Sequence, residues 1–264
     1  MKMMNKAVMA LMLLCLSVPA IAEVQGKVVE YKSGDTVLKG YMAWDDANTK
    51  PHPGVLVVHE WWGHNDYSRE RAEMLAGLGY TALALDMYGD GKQASHPDDA
   101  KKFAGAVRQN MDVAEARFNA GLDLLKQQPN VNSTQLAAIG YCFGGGVVLA
   151  MARRGLDIDA VASFHGSLGT QSPAQPGTIK TRIAVFNGAD DPMSKPEQVT
   201  AFKKEMDNAG ADYMLVDYPG TVHAFTNPEA DELGAKFGLP LKYNAEADKD
   251  SWEQMQVFLK ESFK

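Results

Sequence analysis

Apolar residues arrive along this chain in short runs separated by longer amphipathic stretches. Val55, Leu56, Val57 and Val58 form a compact β-branched run that reads as a buried strand over 55–59. The segments YTALALD (80–86), AAIGY (137–141), AVASFH (160–165), RIAVFN (182–187) and YMLVDYP (213–219) have the same character. Between them the spacing predicts helices over 66–78, 97–128 with a break near Gly105, 143–154, 196–208 and 244–263. Ahead of the first run, GKVVEYKSGD and TVLKGYMAW alternate as strands do, with Ser33, Gly34 and Asp35 as the turn of an antiparallel pair. Short apolar strands alternating with helices predict an α/β chain: a mostly parallel sheet covered on both faces. Ligands of such sheets sit at the carboxyl ends of the strands. His59, Glu60, Asp86, Cys142, His165 and Asp191 all fall at or just past those ends.

The first residues depart from this pattern. Lys2 and Lys6 precede the apolar run AVMALMLLCLSVP, and Ala20-Ile21-Ala22 is a small-x-small cleavage signal. This predicts a signal peptide over 1–22 and one exported domain over 23–264. The run is short for a membrane span of about 20 residues. Bulky Leu14 before Cys15 argues against a lipoprotein signal, and no later stretch is apolar enough to cross a bilayer. A periplasmic or secreted protein is expected, as a monomer or small homo-oligomer.

Charge narrows the partners. The net charge of −7 argues against nucleic acid. Cysteine then changes the picture, because loss of the leader leaves Cys142 alone. A lone cysteine in an exported chain is either a small buried hydrophobe or a reactive thiol.

The stretch GVLVVHEWWGHND first suggests a metal site. A His-Glu-x-x-His zinc helix needs its histidines four apart on one face. His59 and His64 are five apart, at the end of a strand. No metal and no organic cofactor are expected. The stronger signal is AAIGYCFGGG, in which Gly140-x-Cys142-x-Gly144 lies between a strand and a helix. This is the form of a nucleophile elbow, where glycines admit close neighbouring chain. The helix N-terminus favours a thiolate, and the Phe143 amide faces the place where an oxyanion develops. In hydrolases with this elbow the chain order is nucleophile, acid, histidine. FNGADDP offers Asp190 and Asp191, of which Asp191 is preferred, and YPGTVHAF offers His223.

Cys142 in GYCFGG, Asp191 in GADDP, His223 in GTVHAF and Glu60 in VVHEWWGHND together resemble the dienelactone hydrolase (carboxymethylenebutenolidase) family. The resemblance runs from about residue 27 to 260. It implies an α/β-hydrolase fold and a Cys142–Asp191–His223 triad. It also implies that Glu60 stands close to the thiol and controls its ionisation, and that the Trp61 amide joins that of Phe143 in an oxyanion hole. Trp62, Tyr88 and His165 are expected to line the substrate pocket. A glutamate beside two tryptophans is partly desolvated, which raises its pKa.

Departures bear on substrate. The family's arginine after the strand-end Asp-Leu-Tyr is replaced in DMYGDG by Gly89 and Asp90, and its serine and arginine after the histidine by Ala224 and Asn227. An acid at the mouth would repel a carboxylate, so dienelactone itself is not the expected substrate. The expected activity is cleavage of a small ester, lactone or thioester through an acyl-enzyme. The alternatives are a binding protein on a hydrolase fold, or a thiol redox protein, which would need a resolving cysteine.

Overall fold

The computed structural model describes residues 23–263; the expected signal peptide lies outside them. Eight strands form one sheet in the order β1-β2-β4-β3-β5-β6-β7-β8. β1 (Val24–Ser33) and β2 (Thr36–Asp45) pair antiparallel, with Ser33 opposite Thr36 across a two-residue turn that Gly34 enters at φ 57°. β2 also runs antiparallel to β4 (Thr81–Ala84). The remaining neighbours are parallel: β3 (His52–Val58), β5 (Val131–Tyr141), β6 (Ala160–Phe164), β7 (Arg182–Gly188) and β8 (Tyr213–Tyr218).

Each central strand is buried on both faces, which is why its sequence is a continuous apolar run rather than an alternation. Successive side chains still divide between two cores. Leu56, Val58, Leu83, Val161, Ile183 and Val185 face one layer, with α3 (Met111–Lys126), α4 (Phe143–Arg153) and α5 (Pro196–Ala209). Val55, Val57, Ala82, Ile139, Phe164 and Phe186 face the other, with α1 (Asp66–Gly77) and α7 (Ala245–Ser262). The second layer draws alanines from its strands, Ala82, Ala84, Ala137 and Ala160 among them.

Three elements differ from the sequence expectation, the first being β5, which begins at Val131, six residues ahead of the expected 137–141. The long helical region breaks at Asn110, not at Gly105, giving α2 (Pro97–Gln109) and α3. The Asn110 side chain accepts from the Val113 N–H and caps the second helix, whereas Gly105 sits in open space inside the first. A further short helix, α6 (Ala230–Phe237), follows the β8 loop and ends at Gly238 in the left-handed conformation. It holds the His223 loop from outside through Ala230 and Leu233, which pack with Ala224 and Leu241.

Candidate functional site

Cys142 stands between β5 and α4 with φ 51° and ψ −110°, a conformation that L-residues rarely adopt. Its surroundings show what holds it there. A Cβ on Gly140 would lie 2.2 Å from the Gly144 carbonyl oxygen, and one on Gly144 would lie 2.2 Å from that of Val58. The elbow is therefore wedged between β3 and its own helix, and the Gly144 N–H donates to the His59 carbonyl at 3.1 Å. The Cys142 N–H is shared between the Phe164 carbonyl at 3.0 Å and His165 Nδ1 at 3.1 Å. Phe143 opens α4, so its N–H has no carbonyl within the helix to bond.

The thiol is met by His223, whose Nε2 lies 3.1 Å from Cys142 Sγ. His223 Nδ1 lies 2.7 Å from Asp191 Oδ2. Asp191 sits three residues past β7, and its second oxygen accepts the Met193 N–H at 2.7 Å. Burial lowers the His223 pKa, but the charges of Cys142 and Asp191 outweigh it and raise the imidazole to about 10. Sulfur, imidazole and carboxylate are thus joined in one chain of contacts.

Glu60 is 2% exposed and turned toward Asn227, whose amide donates to Oε2 at 2.7 Å. In this structure the thiol's hydrogen-bond partner is His223 and the carboxylate's is Asn227. Burial pushes the Glu60 carboxyl up to about 7; Asn227 and the charges of His223 and Arg71 act against it. The folded carboxyl therefore holds its proton more tightly than an unfolded one at 4.5. That stabilisation is complete below the unfolded pKa and is lost as pH rises through about 7. Between pH 4.5 and 8, wild type is expected to lose about 2–3 kcal/mol more stability than Glu60→Gln. Urea unfolding of both proteins at the two pH values checks this; parallel pH profiles would contradict it.

The remaining histidines are held by backbone. His59 Nδ1 donates to the Glu60 carbonyl at 2.5 Å, and Nε2 accepts the Met87 N–H at 3.2 Å. In a trans peptide the carbonyl and the next N–H point oppositely, so His59 aims the Trp61 N–H away from itself. Tyr88 donates from its hydroxyl to the Trp61 carbonyl at 2.9 Å and fixes the following peptide. Tyr88 is placed in turn by Asp86, which accepts from the N–H groups of Lys39, Tyr88, Gly89 and Gly91. His165, at φ 40°, is kept neutral by burial and by the charge of His223. Its Nδ1 accepts from Cys142, so Nε2 carries the proton and donates to Thr226 Oγ1 at 2.8 Å. His64 is buried with Nε2 unpaired.

A cavity of about 310 Å³ opens over the sulfur. Trp61, Met193 and Leu241 form its apolar wall, and His165, Ser194 and Arg108 supply polar groups. Trp62 and Tyr88, expected at this wall, stand behind it. Trp62 packs edge-on against Trp61 and on to Phe237, and Tyr88 lies among His59, Phe103 and Phe143. Asp90, expected as an acid at the mouth, is not among the lining residues; its Oδ2 lies 3.2 Å from Lys92 Nζ. Sequence reasoning did not find Arg108, Ser194, Met193 or Leu241, which carry no local motif. Nor did it find the buried Arg71, which holds Asp248 at 2.7 Å and the Thr226 carbonyl at 2.6 Å and so ties α7 to the His223 loop.

Comparison with known proteins bears on these features. The model of the family described as the dienelactone hydrolase family matches residues 38–263. The protein named Protein usf from Aquifex pyrophilus is 30% identical over 244 residues, covering 89% of this chain and 98% of that protein. A protein of Aquifex aeolicus, provisionally named a carboxymethylenebutenolidase, is 26% identical over 243 residues, again covering 89% and 98%. The crystal structure of a dienelactone hydrolase-like promiscuous phosphotriesterase from metagenomic libraries superposes with a TM-score of 0.85. It is 35% identical and covers 91% of this chain and 99% of that one.

Proposed function

This chain belongs to the dienelactone hydrolase family of α/β-hydrolases, enzymes acting on ester bonds, and on that premise we propose that Cys142, His223 and Asp191 are its catalytic triad. The observation that carries the reading is the unbroken contact from Cys142 Sγ through the His223 ring to Asp191, starting at a positive-φ elbow. Cys142 gives its proton to His223 Nε2, and the sulfur attacks the carbonyl carbon of the substrate. The developing oxyanion is met by the amides of Phe143 and Trp61. Collapse of the tetrahedral adduct breaks the bond to the leaving oxygen or sulfur, which takes the proton from His223. Water then enters and His223 takes one of its protons as the oxygen bonds to the acyl carbon; the C–S bond breaks, the acid leaves, and the Cys142 sulfur recovers the proton from His223. Asp191 holds the imidazole in the tautomer these steps need. Glu60, half ionised near neutral pH, adjusts the field at His223, and Asn227 sets where it points.

The small, mostly apolar cavity favours a short ester, lactone or thioester. Gly89, Asp90 and Asn227 in place of the family's arginines argue that dienelactone is not the natural substrate. The leader-like sequence over 1–22 supports export and a periplasmic or secreted location. A panel of short esters, lactones and thioesters, assayed with the protein lacking 1–22, tests the activity. Turnover by wild type and none by Cys142→Ala is expected; equal turnover by both would overturn the assignment. A second reading, cleavage of phosphotriesters, is favoured by the likeness to the promiscuous phosphotriesterase. The same sulfur and amides would face a phosphoryl centre, and a p-nitrophenyl phosphotriester added to the panel tests it.

A further inference from the structure

Four non-glycine residues among those described have positive φ: Asp90, Cys142, His165 and Ala224. Three of them meet at one place. Cys142 carries the sulfur, Ala224 directly follows His223, and His165, just past β6, touches both sides. Strained backbone of this kind persists only where its surroundings hold it. Here a line of hydrogen bonds does so. The Cys142 N–H donates to His165 Nδ1 at 3.1 Å, and His165 Nε2–H donates to Thr226 Oγ1 at 2.8 Å. Thr226 is three residues past His223, inside a turn closed by the Asn227 N–H on the Ala224 carbonyl at 3.0 Å.

Thr226 is itself anchored to α1. Its hydroxyl is 2.6 Å from the Tyr67 hydroxyl, and its carbonyl accepts from Arg71 at 2.6 Å. Thr226 is 0% exposed and His165 1%, so bulk water does not replace a bond that is lost. The His165 ring stands edge-on to that of His223, with centroids 5.2 Å apart. His165 borders the cavity over Cys142, but both its nitrogens are committed inside the protein. What it shows a substrate is ring carbon.

We propose that His165 and Thr226 are positioning residues, a tie between the amide of Cys142 and the loop of His223 that sets the distance from Sγ to Nε2. This rests on Cys142 and His223 being the reacting pair. The tie acts on the backbone of both partners and touches neither reacting atom. Its effect therefore falls on proton transfer from sulfur to imidazole, and so on acylation, rather than on substrate binding.

Thr226→Val removes the hydroxyl and keeps the shape of the side chain; Thr226→Ala serves in its place where valine does not fold. Alkylation of Cys142 by iodoacetamide at fixed pH is expected to slow about tenfold. The burst of alcohol from an activated ester should slow in step, with the half-saturating ester concentration unchanged. Thr226→Ser, which keeps the hydroxyl, should recover most of the rate. His165→Asn cuts the same tie from its other end: asparagine tolerates positive φ and can still accept from Cys142, but is too short to reach Thr226. The two changes together should slow alkylation no more than either alone, because they remove one shared interaction. Ser262→Ala removes an equally buried hydroxyl at the end of α7, bonded to the Phe258 carbonyl and to Arg182. It reads what lost stability alone does, and its alkylation rate should match wild type. Three results overturn the proposal: a wild-type alkylation rate in Thr226→Val, a loss that serine does not recover, or losses at 165 and 226 that multiply in the double variant. If alkylation follows the expected pattern but no ester is cleaved, the tie stands and the hydrolytic reading of Cys142 fails.

Discussion

His223→Ala is expected to lower ester turnover by roughly three to four orders of magnitude while the protein stays folded. Among the described residues the imidazole is the one group that bonds both the Cys142 sulfur and the Asp191 carboxylate. Without it no group stands ready to take the thiol's proton, the leaving group receives none, and the second step lacks a base for water. Asp191 is then left buried without its partner, which shifts stability modestly but does not dismantle a sheet whose strands lie elsewhere. The check is kcat with a short activated ester, alongside the urea midpoint. Residual activity within tenfold of wild type would show that another group moves the proton.

The second large effect falls on the fold of the elbow. Gly144→Ala places a Cβ 2.2 Å from the Val58 carbonyl oxygen and 2.7 Å from that of His59. Both are backbone atoms of a central strand and its end, and neither can swing aside. The Gly144 N–H bond to His59 has to break or β3 has to shift. A loss of about 3 kcal/mol or more is expected, above the usual range for one added methyl. Turnover should fall as well, because His59 also orients the Glu60–Trp61 peptide. Gly105→Ala is the contrasting case. It lies in the interior of α2 with nothing within 4 Å of the added carbon. Alanine there should stabilise by about 0.5–1 kcal/mol. Urea unfolding of the two variants reads both signs, and a Gly144→Ala protein as stable as wild type would contradict the packing described.

The strands were legible because each is an apolar run too short for a helix and bounded by turn residues. Val55 to Val58 and Ala160 to Phe164 are of this kind, and their ends set where Glu60 and His165 stand. The elbow was legible because steric crowding on both sides of Cys142 demands glycine at fixed offsets, and that demand is written locally. The break between α2 and α3 was misplaced because Gly105 is the weaker helix former, while the signal that decides is a cap supplied by Asn110. The partners of Glu60 were not legible at all. Asn227 is 167 positions away in sequence, and only the closure of the sheet brings its amide to the carboxylate. Trp61 and Trp62 show the limit at single-residue scale. Neighbours in the chain, they end on opposite sides of the cavity wall, a choice set by the loop's hydrogen bonds to His59 and Tyr88. Arg108 and Ser194 lie in segments whose sequence is ordinary, and the cavity alone unites them.

The most direct test is to trap the intermediate. Wild-type protein is mixed with a short activated ester, quenched in acid within milliseconds, digested, and examined by mass spectrometry. The account predicts the acyl mass on the peptide containing Cys142, formed at the rate of the burst of released alcohol and persisting in a variant impaired in the water step. Turnover with no acyl group on Cys142, or with the acyl group on another residue, would contradict it.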